Sequence, residues 1–257
     1  MTKPLAIPED RWTSDAASSP TDAATGASAL AGRPFFCSWS GGKDGYLALQ
    51  RAVQQGGQCA ALLCMLEESG TRSRGHGLPI EVLAAQAAAL GVPLVTRATT
   101  WDSYEQAFTS ALHELREIGV EDGVFGDIDL LPHREWVEGV CRRAGLHSHL
   151  PLWLEPRQTL INELLASNVR ATVVAVDARR LDADFLGRVV DPGLVTDLEA
   201  AGVDACGEEG EYHTFVSHAP LFSSPISFAK AETVERDGHW VLAVVPDPVS
   251  DSHHRPS

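Results

Sequence analysis

The sequence predicts an α/β protein, built on a parallel sheet with helices on both faces and followed by a smaller α+β domain. Three observations carry that prediction. From Arg33 to Asp127, short apolar runs alternate with helical patterns, and strands that alternate with helices form parallel sheets. The first run ends directly in a glycine turn that opens a helix. Beyond about residue 128 the texture changes to two helices, a β-branched strand and a closing hairpin pattern.

Residues 1–32 are rich in Ala, Ser, Thr, Pro and Gly and lack a sustained apolar period, so a disordered extension is expected there. Arg33–Trp39 reads as a buried strand, followed by the turn and a helix through about Gln54. Cys59–Leu66 is the second apolar run. Ile80–Leu90 has helical spacing through Val82, Leu83, Gln86 and Leu90, and Val92–Val95 returns to extended character. Tyr104–Ile118 is a helix with Tyr104, Phe108, Leu112 and Leu115 on one side, and Gly123–Gly126 is a short strand that delivers Asp127.

In the second half, Arg134–Ala144 and Thr159–Ser167 read as helices, and Ala171–Val176 as a buried strand. Tyr212–Val216 is extended, and runs 226–234 and 239–245 flank Arg236-Asp237-Gly238, a hairpin signal. Residues 247–257 resemble the first stretch in composition, and His253-His254 there reads as solvated. The expected organisation is one domain over 33–127, a second over 128–246, and disordered ends at 1–32 and 247–257.

Bulk properties narrow the function. Hydrophobic residues are 44% and charged residues 21% of the 257, the profile of a globular protein with its own core. The net charge of -15 opposes any embrace of long nucleic acids, but not one small anion held by backbone amides. Five scattered cysteines without a C-x-x-C pair suit a reducing compartment and offer no metal framework. No apolar run reaches a membrane span, and early acids (Glu9, Asp10, Asp15) argue against a secretory signal. Cytoplasmic residence, with no membrane contact, is expected. The sequence leaves a homodimer open.

The turn Ser40-Gly41-Gly42-Lys43-Asp44-Gly45 follows the strand Phe35–Trp39. Two glycines let the backbone turn sharply, and the helix behind them points free N–H groups and its positive dipole end at the turn. Such a cradle suits pyrophosphate. Ser40 adds a hydroxyl donor and Lys43 a mobile cation, and Asp44 is a candidate Mg²⁺ ligand. An incidental Gly-Gly turn is the plainer alternative, and the complete string in its strand–turn–helix setting outweighs it. The string resembles the PP-loop of the ATP pyrophosphatase superfamily, whose nucleotide-binding domains are HUP-like. That resemblance implies ATP cleaved between its α and β phosphates. The chain departs from the pattern at Gly45, where a serine hydroxyl ordinarily adds a phosphate contact.

Asp204-Ala-Cys-Gly-Glu208-Glu209-Gly210-Glu211-Tyr212-His213-Thr214 packs four acids around two glycines. Carboxylates this close repel unless a cation, metal or substrate ammonium meets them. A solvated acidic turn is the alternative. The order of features decides between them: Val124-Phe-Gly-Asp127, His133-Arg-Glu135, Pro151-Leu-Trp153, Leu186-Gly-Arg188 and Gly207–Thr214 all follow the turn. Together they resemble the diphthine–ammonia ligase (diphthamide synthase) family, in its bacterial branch, over residues 34 to about 222.

The resemblance implies an amino-terminal PP-loop domain and a carboxy-terminal domain that binds an acid. It implies ATP and Mg²⁺ as cofactors, and adenylation of a carboxylate substrate followed by displacement of AMP by ammonia, supplied as ammonium. Lys43 and Asp44 are then expected to be catalytic, with Ser40, Gly41, Gly42, Gly45 and Asp127 on the nucleotide. Glu208 and Glu211 are expected on the substrate side and in catalysis, with Tyr212 and Trp153 offering aromatic faces to a quaternary ammonium. Where the family pattern often has a second Glu, this chain has His213, a candidate base or a plain strand residue.

Asp127 is a Mg²⁺ or nucleotide contact, or a helix cap. Arg72, Arg74 and His76 read as a basic surface loop within reach of a triphosphate. Arg134 and Arg188 are candidates for anion contacts or ion pairs, and His147-Ser148-His149 has strand spacing without an evident third metal ligand. Two competing functions remain: a thiolation-type enzyme that modifies tRNA, and a nucleotide-binding protein without catalysis.

Overall fold

The structure is a computed structural model and describes residues 29–246. Of the ends expected to be disordered, at 1–32 and 247–257, residues 1–28 and 247–257, with His253-His254, lie outside the described residues. Residues 29–32 do not continue an extension. They form a turn in which Leu30 is buried and the Gly32 N–H donates to the Gly56 carbonyl at 2.9 Å.

The first layer is a five-stranded sheet of β1 (Pro34–Ser38), β2 (Gln58–Leu66), β3 (Leu94–Ala98), β4 (Asp122–Val124) and β5 (His147–His149). Its order is β3-β2-β1-β4-β5, and every pairing is parallel. The chain runs outward from β1 to β3, then returns through a helix to β4 on the other side of β1. This reversal opens a crevice beyond the carboxyl ends of β1 and β4, where α/β folds bind ligands.

Helices α1 (Lys43–Gln54) and α2 (Ile80–Leu90) cover one face, and α3 (Tyr104–Glu117) and α4 (Leu131–Ala144) the other. Alternation along β1 explains the division: Phe35 and Cys37 pack with α1 and α2, whereas Phe36 packs with α3 and α4. Strand β5 carries the sheet past the division near residue 128 that texture had indicated. Its three residues are His-Ser-His, so no apolar run announced it.

The second layer holds β6 (Arg170–Asp177), β7 (Tyr212–His218), β8 (Phe228–Arg236) and β9 (His239–Pro246), in the antiparallel order β7-β6-β9-β8. Helices α5 (Arg157–Ala166) and α6 (Pro192–Ala200) pack against it. Its core is continuous with the α1 and α2 side of the first sheet, so β7 lies against the start of α1. The β8–β9 hairpin turns at Asp237 and Gly238, both with positive φ, as the Asp-Gly signal required. Among the described residues, no helix is long and apolar enough to cross a membrane.

Candidate active site

The phosphate turn sits at the carboxyl end of β1, beside the end of β4. Gly41 has φ +87°, and a Cβ there would come within 2.6 Å of Leu78 Cδ1. A Cβ on Gly42 would lie 2.4 Å from His76 Cε1. Glycine therefore lets the 73–78 loop close over the turn. At the turn the Lys43 N–H donates to Thr214 Oγ1 at 3.0 Å and the Gly42 N–H to Ser40 Oγ at 3.4 Å. The N–H groups of Asp44 and Gly45 donate to no described residue. They are the orphan amides of a helix start, available to an anion.

Strand β7 is bolted to this turn. The Val216 N–H donates to the Gly41 carbonyl at 2.9 Å. Gln86, fully buried on α2, donates to the Gly41 and Val216 carbonyls at 2.9 and 2.8 Å and accepts from the Trp39 indole at 2.9 Å. The Lys43 side chain is not the mobile cation its motif position led us to expect. It is buried, with Nζ on Asp44 Oδ2 at 2.8 Å, on the Cys206 carbonyl, and 5.0 Å from the centre of the Tyr212 ring. Burial alone would lower its pKa, but Asp44 and Tyr212 outweigh that and keep the ammonium charged.

Two cavities meet at Asp44. One, of about 300 Å³, is lined by Ser40, Asp44, Gly45 and Asp127, by the end of β2 at Leu63–Met65, and by Arg74 and Trp101. The other, of about 530 Å³, is lined by Lys43, Asp44, His133, Glu208, Glu209 and Tyr212, among others. In the second cavity Glu208 accepts the Ile128 N–H at 3.1 Å. Burial pushes the Glu208 carboxyl up to about 7; Asp44 and Asp127 add to the rise, while the Ile128 amide and Lys43 oppose it. Asp127 accepts from His133 Nδ1 at 3.3 Å, and that bond raises the imidazole pKa.

A family model described as "Diphthamide synthase N-terminal domain" matches residues 35–148, and one described as "Diphthamide synthase C-terminal domain" matches residues 156–244. The chain belongs to the diphthamide synthase family. The protein named "Diphthine--ammonia ligase" of Mus musculus is 31% identical over 224 residues, which cover 76% of this chain and 82% of the relative. The Homo sapiens protein of the same name is 30% identical with the same coverage. The Schizosaccharomyces pombe relative is 28% identical, and the match takes in 36% of its length. A solved structure titled as a predicted subunit of tRNA methyltransferase from Methanocaldococcus jannaschii overlaps 73% of this chain and 98% of its own, at 16% identity and TM-score 0.40. That likeness is too low to bear on fold or function.

In this member of the diphthamide synthase family, the fold brings together residues expected of both the nucleotide and the acid. Ser40, Asp44, Gly45 and Asp127 line the smaller cavity; Lys43, Asp44, Glu208 and Tyr212 line the larger. Glu211 and Trp153 line neither. Glu211 is buried, accepting from Arg180 at 2.9 Å and from the Glu209 N–H at 3.0 Å, so it braces the acidic loop from behind. Trp153 lies under Arg134, whose Cζ is 5.0 Å from the ring centre. The Tyr212 ring faces Lys43, and its hydroxyl donates to the Ala205 carbonyl. The Tyr212 and Trp153 rings thus each carry a cation of the chain over one face.

The 72–76 loop is packed where a surface loop was the plainer expectation. Ser73 is buried, and His76 donates through Nδ1 to the Thr214 carbonyl at 3.0 Å. Burial, partly opposed by that bond, lowers His76 to about 4, and it drives His213, 4.5 Å away between ring centres, well below its ordinary value. Both are therefore unprotonated at pH 7, and the lowered pKa makes His213 a weak base. Arg134 pairs with Glu138, and Arg188 with Asp197 at 2.7 Å. His149 pairs with Asp122 at 2.7 Å, and no group of three or more candidate metal ligands stands together among the described residues. All five cysteines are buried; burial pushes Cys59, Cys64, Cys141 and Cys206 up to about 12.

Sequence reading missed Gln86, Thr214 and His133 as site-building residues. Gln86 had a signal, a polar side chain on the apolar stripe of its helix. Thr214 was visible only as the last letter of the acidic string, and nothing local marked its partner 171 residues away.

Proposed function

We propose that the chain is an AMP-forming ligase that adenylates a carboxylate with ATP and converts it to an amide with ammonia. The observation that carries this reading is the placement of Asp44 on both cavities, with Thr214 holding the acidic loop's strand against the phosphate turn. The carboxylate oxygen would attack the α-phosphorus and pyrophosphate would leave, its charge met by the free Asp44 and Gly45 amides and the α1 dipole. Ammonia would then attack the acyl carbon and release AMP. The acids of the larger cavity draw ammonium to that point. Glu208, with a pKa lifted toward neutrality, would take its proton.

Mg²⁺ fits this site only in company with phosphate. Asp44 and Asp127 both line the smaller cavity without a third acid close enough to complete a protein cage. Magnesium is commonly held by one or two carboxylates and phosphate oxygens, and once bound it neutralises the departing pyrophosphate. We assign Asp44 as its principal ligand. Lys43 acts in place, holding Asp44 and the Cys206 carbonyl. Glu211 is assigned a bracing role behind the acid site.

The relatives' name supplies the first acid to try, diphthine on its carrier protein. Incubation with α-labelled ATP, Mg²⁺, ammonium and candidate acids should release labelled AMP. Release of ADP would overturn the reading. Asp44→Ala should abolish AMP formation in a chain that still folds by circular dichroism, at a lower melting temperature because the buried Lys43 ammonium loses its counter-charge. A thiolation chemistry finds no support in cysteines that are all buried as neutral thiols.

A further inference from the structure

The smaller cavity begins at the phosphate turn and reaches Arg74, Gly75, Trp101 and Tyr104. Trp101 is 72% exposed, the most open of the exposed large apolar side chains among the described residues. A tryptophan of a folded chain left this open, on the rim of a binding cavity, is a surface awaiting a flat apolar partner. Arg74 lies over its ring, with Cζ 4.7 Å from the centroid, and donates to the Thr99 carbonyl. The Arg74 Nε is buried and has no hydrogen-bond partner. A buried donor without an acceptor is costly, and a ligand atom that satisfies it is favoured.

We propose that Trp101 and Arg74 form the base clamp of the nucleotide site, Trp101 stacking on the adenine and Arg74 Nε donating to an acceptor on the nucleoside. The proposal rests on the ATP reading above and deepens it. The clamp residues and Asp44 and Gly45 of the phosphate turn line one cavity, together with the ends of β1 and β2. A nucleotide with its phosphates on Asp44 and Gly45 therefore directs its base toward Trp101. No other aromatic ring on this lining is as open: Trp39 is buried, and Tyr104 is half-buried against Trp101, Phe108 and Trp136.

The test is calorimetric binding of α,β-methylene-ATP, which cannot be split at the reactive bond, and of inorganic tripolyphosphate, which has no base. Stacking on an aromatic side chain gives about a tenfold change in affinity on truncation to alanine. Trp101→Ala should therefore weaken the ATP analogue about tenfold and leave tripolyphosphate unchanged, and Trp101→Phe should restore most of the loss. Equal affinity of Trp101→Ala and the parent chain for the analogue would overturn the clamp. So would a parallel loss of tripolyphosphate, which would place Trp101 in the phosphate turn's support. If the parent chain binds tripolyphosphate but not the analogue, the turn takes phosphate without a nucleoside, and the ATP reading and the clamp fall together. If it binds neither, the ATP reading falls and takes the clamp with it.

Discussion

The Lys43 N–H donates to Thr214 Oγ1 at 3.0 Å, across 171 residues of sequence. One bond thus ties the first residue of α1 to the strand that leaves the acidic loop. The two unusual strings of the sequence line one cavity, and their separation in the chain is bridged by β7. Gln86 reinforces the same joint from beneath.

Gln86→Leu should therefore loosen both halves together. It leaves the Gly41 carbonyl with the Val216 N–H alone and deprives the Trp39 indole of its acceptor. Each orphaned buried group costs about 1–3 kcal/mol. Denaturant unfolding should show a loss of at least about 2 kcal/mol, together with weaker ATP binding. Unchanged stability would show that Gln86 is only filling space.

Gly45→Ser should tighten ATP binding. A Cβ there meets Ser38 O at 3.6 Å and nothing closer, an ordinary contact, so the serine fits without displacement. One added hydrogen bond is worth about 0.5–1.5 kcal/mol, or a few-fold in the dissociation constant measured by calorimetry. Weaker binding would mean that the hydroxyl points away from the phosphates.

Gly126→Ala should do the opposite. Its Cβ would lie 2.9 Å from both the Asp44 carbonyl carbon and the Gly45 nitrogen, backbone atoms that cannot swing aside. Overpacking of this kind costs about 1–3 kcal/mol. The damage falls on the phosphate amides themselves, so melting temperature and ATP affinity should drop together.

Glu208→Gln gives a pH signature. Burial raises the folded-state carboxyl to about 7, above its unfolded value. Between those two values the folded state holds the extra proton, so this group's contribution to stability falls as pH rises toward 7 and then levels off. The glutamine variant should lose that decline and gain stability relative to the parent at pH 8. Its ammonium-dependent turnover should fall sharply, and the rise in activity through pH 7 should disappear. A variant with the parent's pH profile would remove Glu208 from proton transfer.

Glu211→Gln should act on the loop before it acts on any substrate. The carboxylate is buried between Arg180 and the Glu209 N–H, and a neutral partner weakens both bonds, leaving Arg180 with Asp177 and Glu209 as its counter-charges. The expected result is lower thermal stability, with acid binding impaired in proportion. A selective loss of acid binding at unchanged melting temperature would return Glu211 to direct contact.

Much of this was legible in the chain. Phe35-Phe36-Cys37 followed by Ser-Gly-Gly-Lys-Asp announces a buried strand and an anion turn, because both depend on neighbours in sequence. The Asp237-Gly238 hairpin was readable for the same reason. His147-Ser148-His149 showed strand spacing, but without an apolar run its place at the edge of the first sheet was not readable. The direction of Lys43, the burial of Glu211 and the packing of His76 depend on which distant segment arrives beside them. Local pattern carries no record of that. Charge in the acidic loop was visible, but its division between the cavity-facing Glu208 and the buried Glu211 was not.

The attachment of Lys43 to the Cys206 carbonyl and the Tyr212 ring has a consequence for modularity. The phosphate turn is not a transplantable cassette. A fragment ending after β5 would keep the whole nucleotide string and most of one Rossmann-like layer, yet its lysine would lose its berth and its first helical amide its acceptor. Recombination that exchanged one half for a distant cousin's would have to match the other half's strand, or deliver a motif without a site.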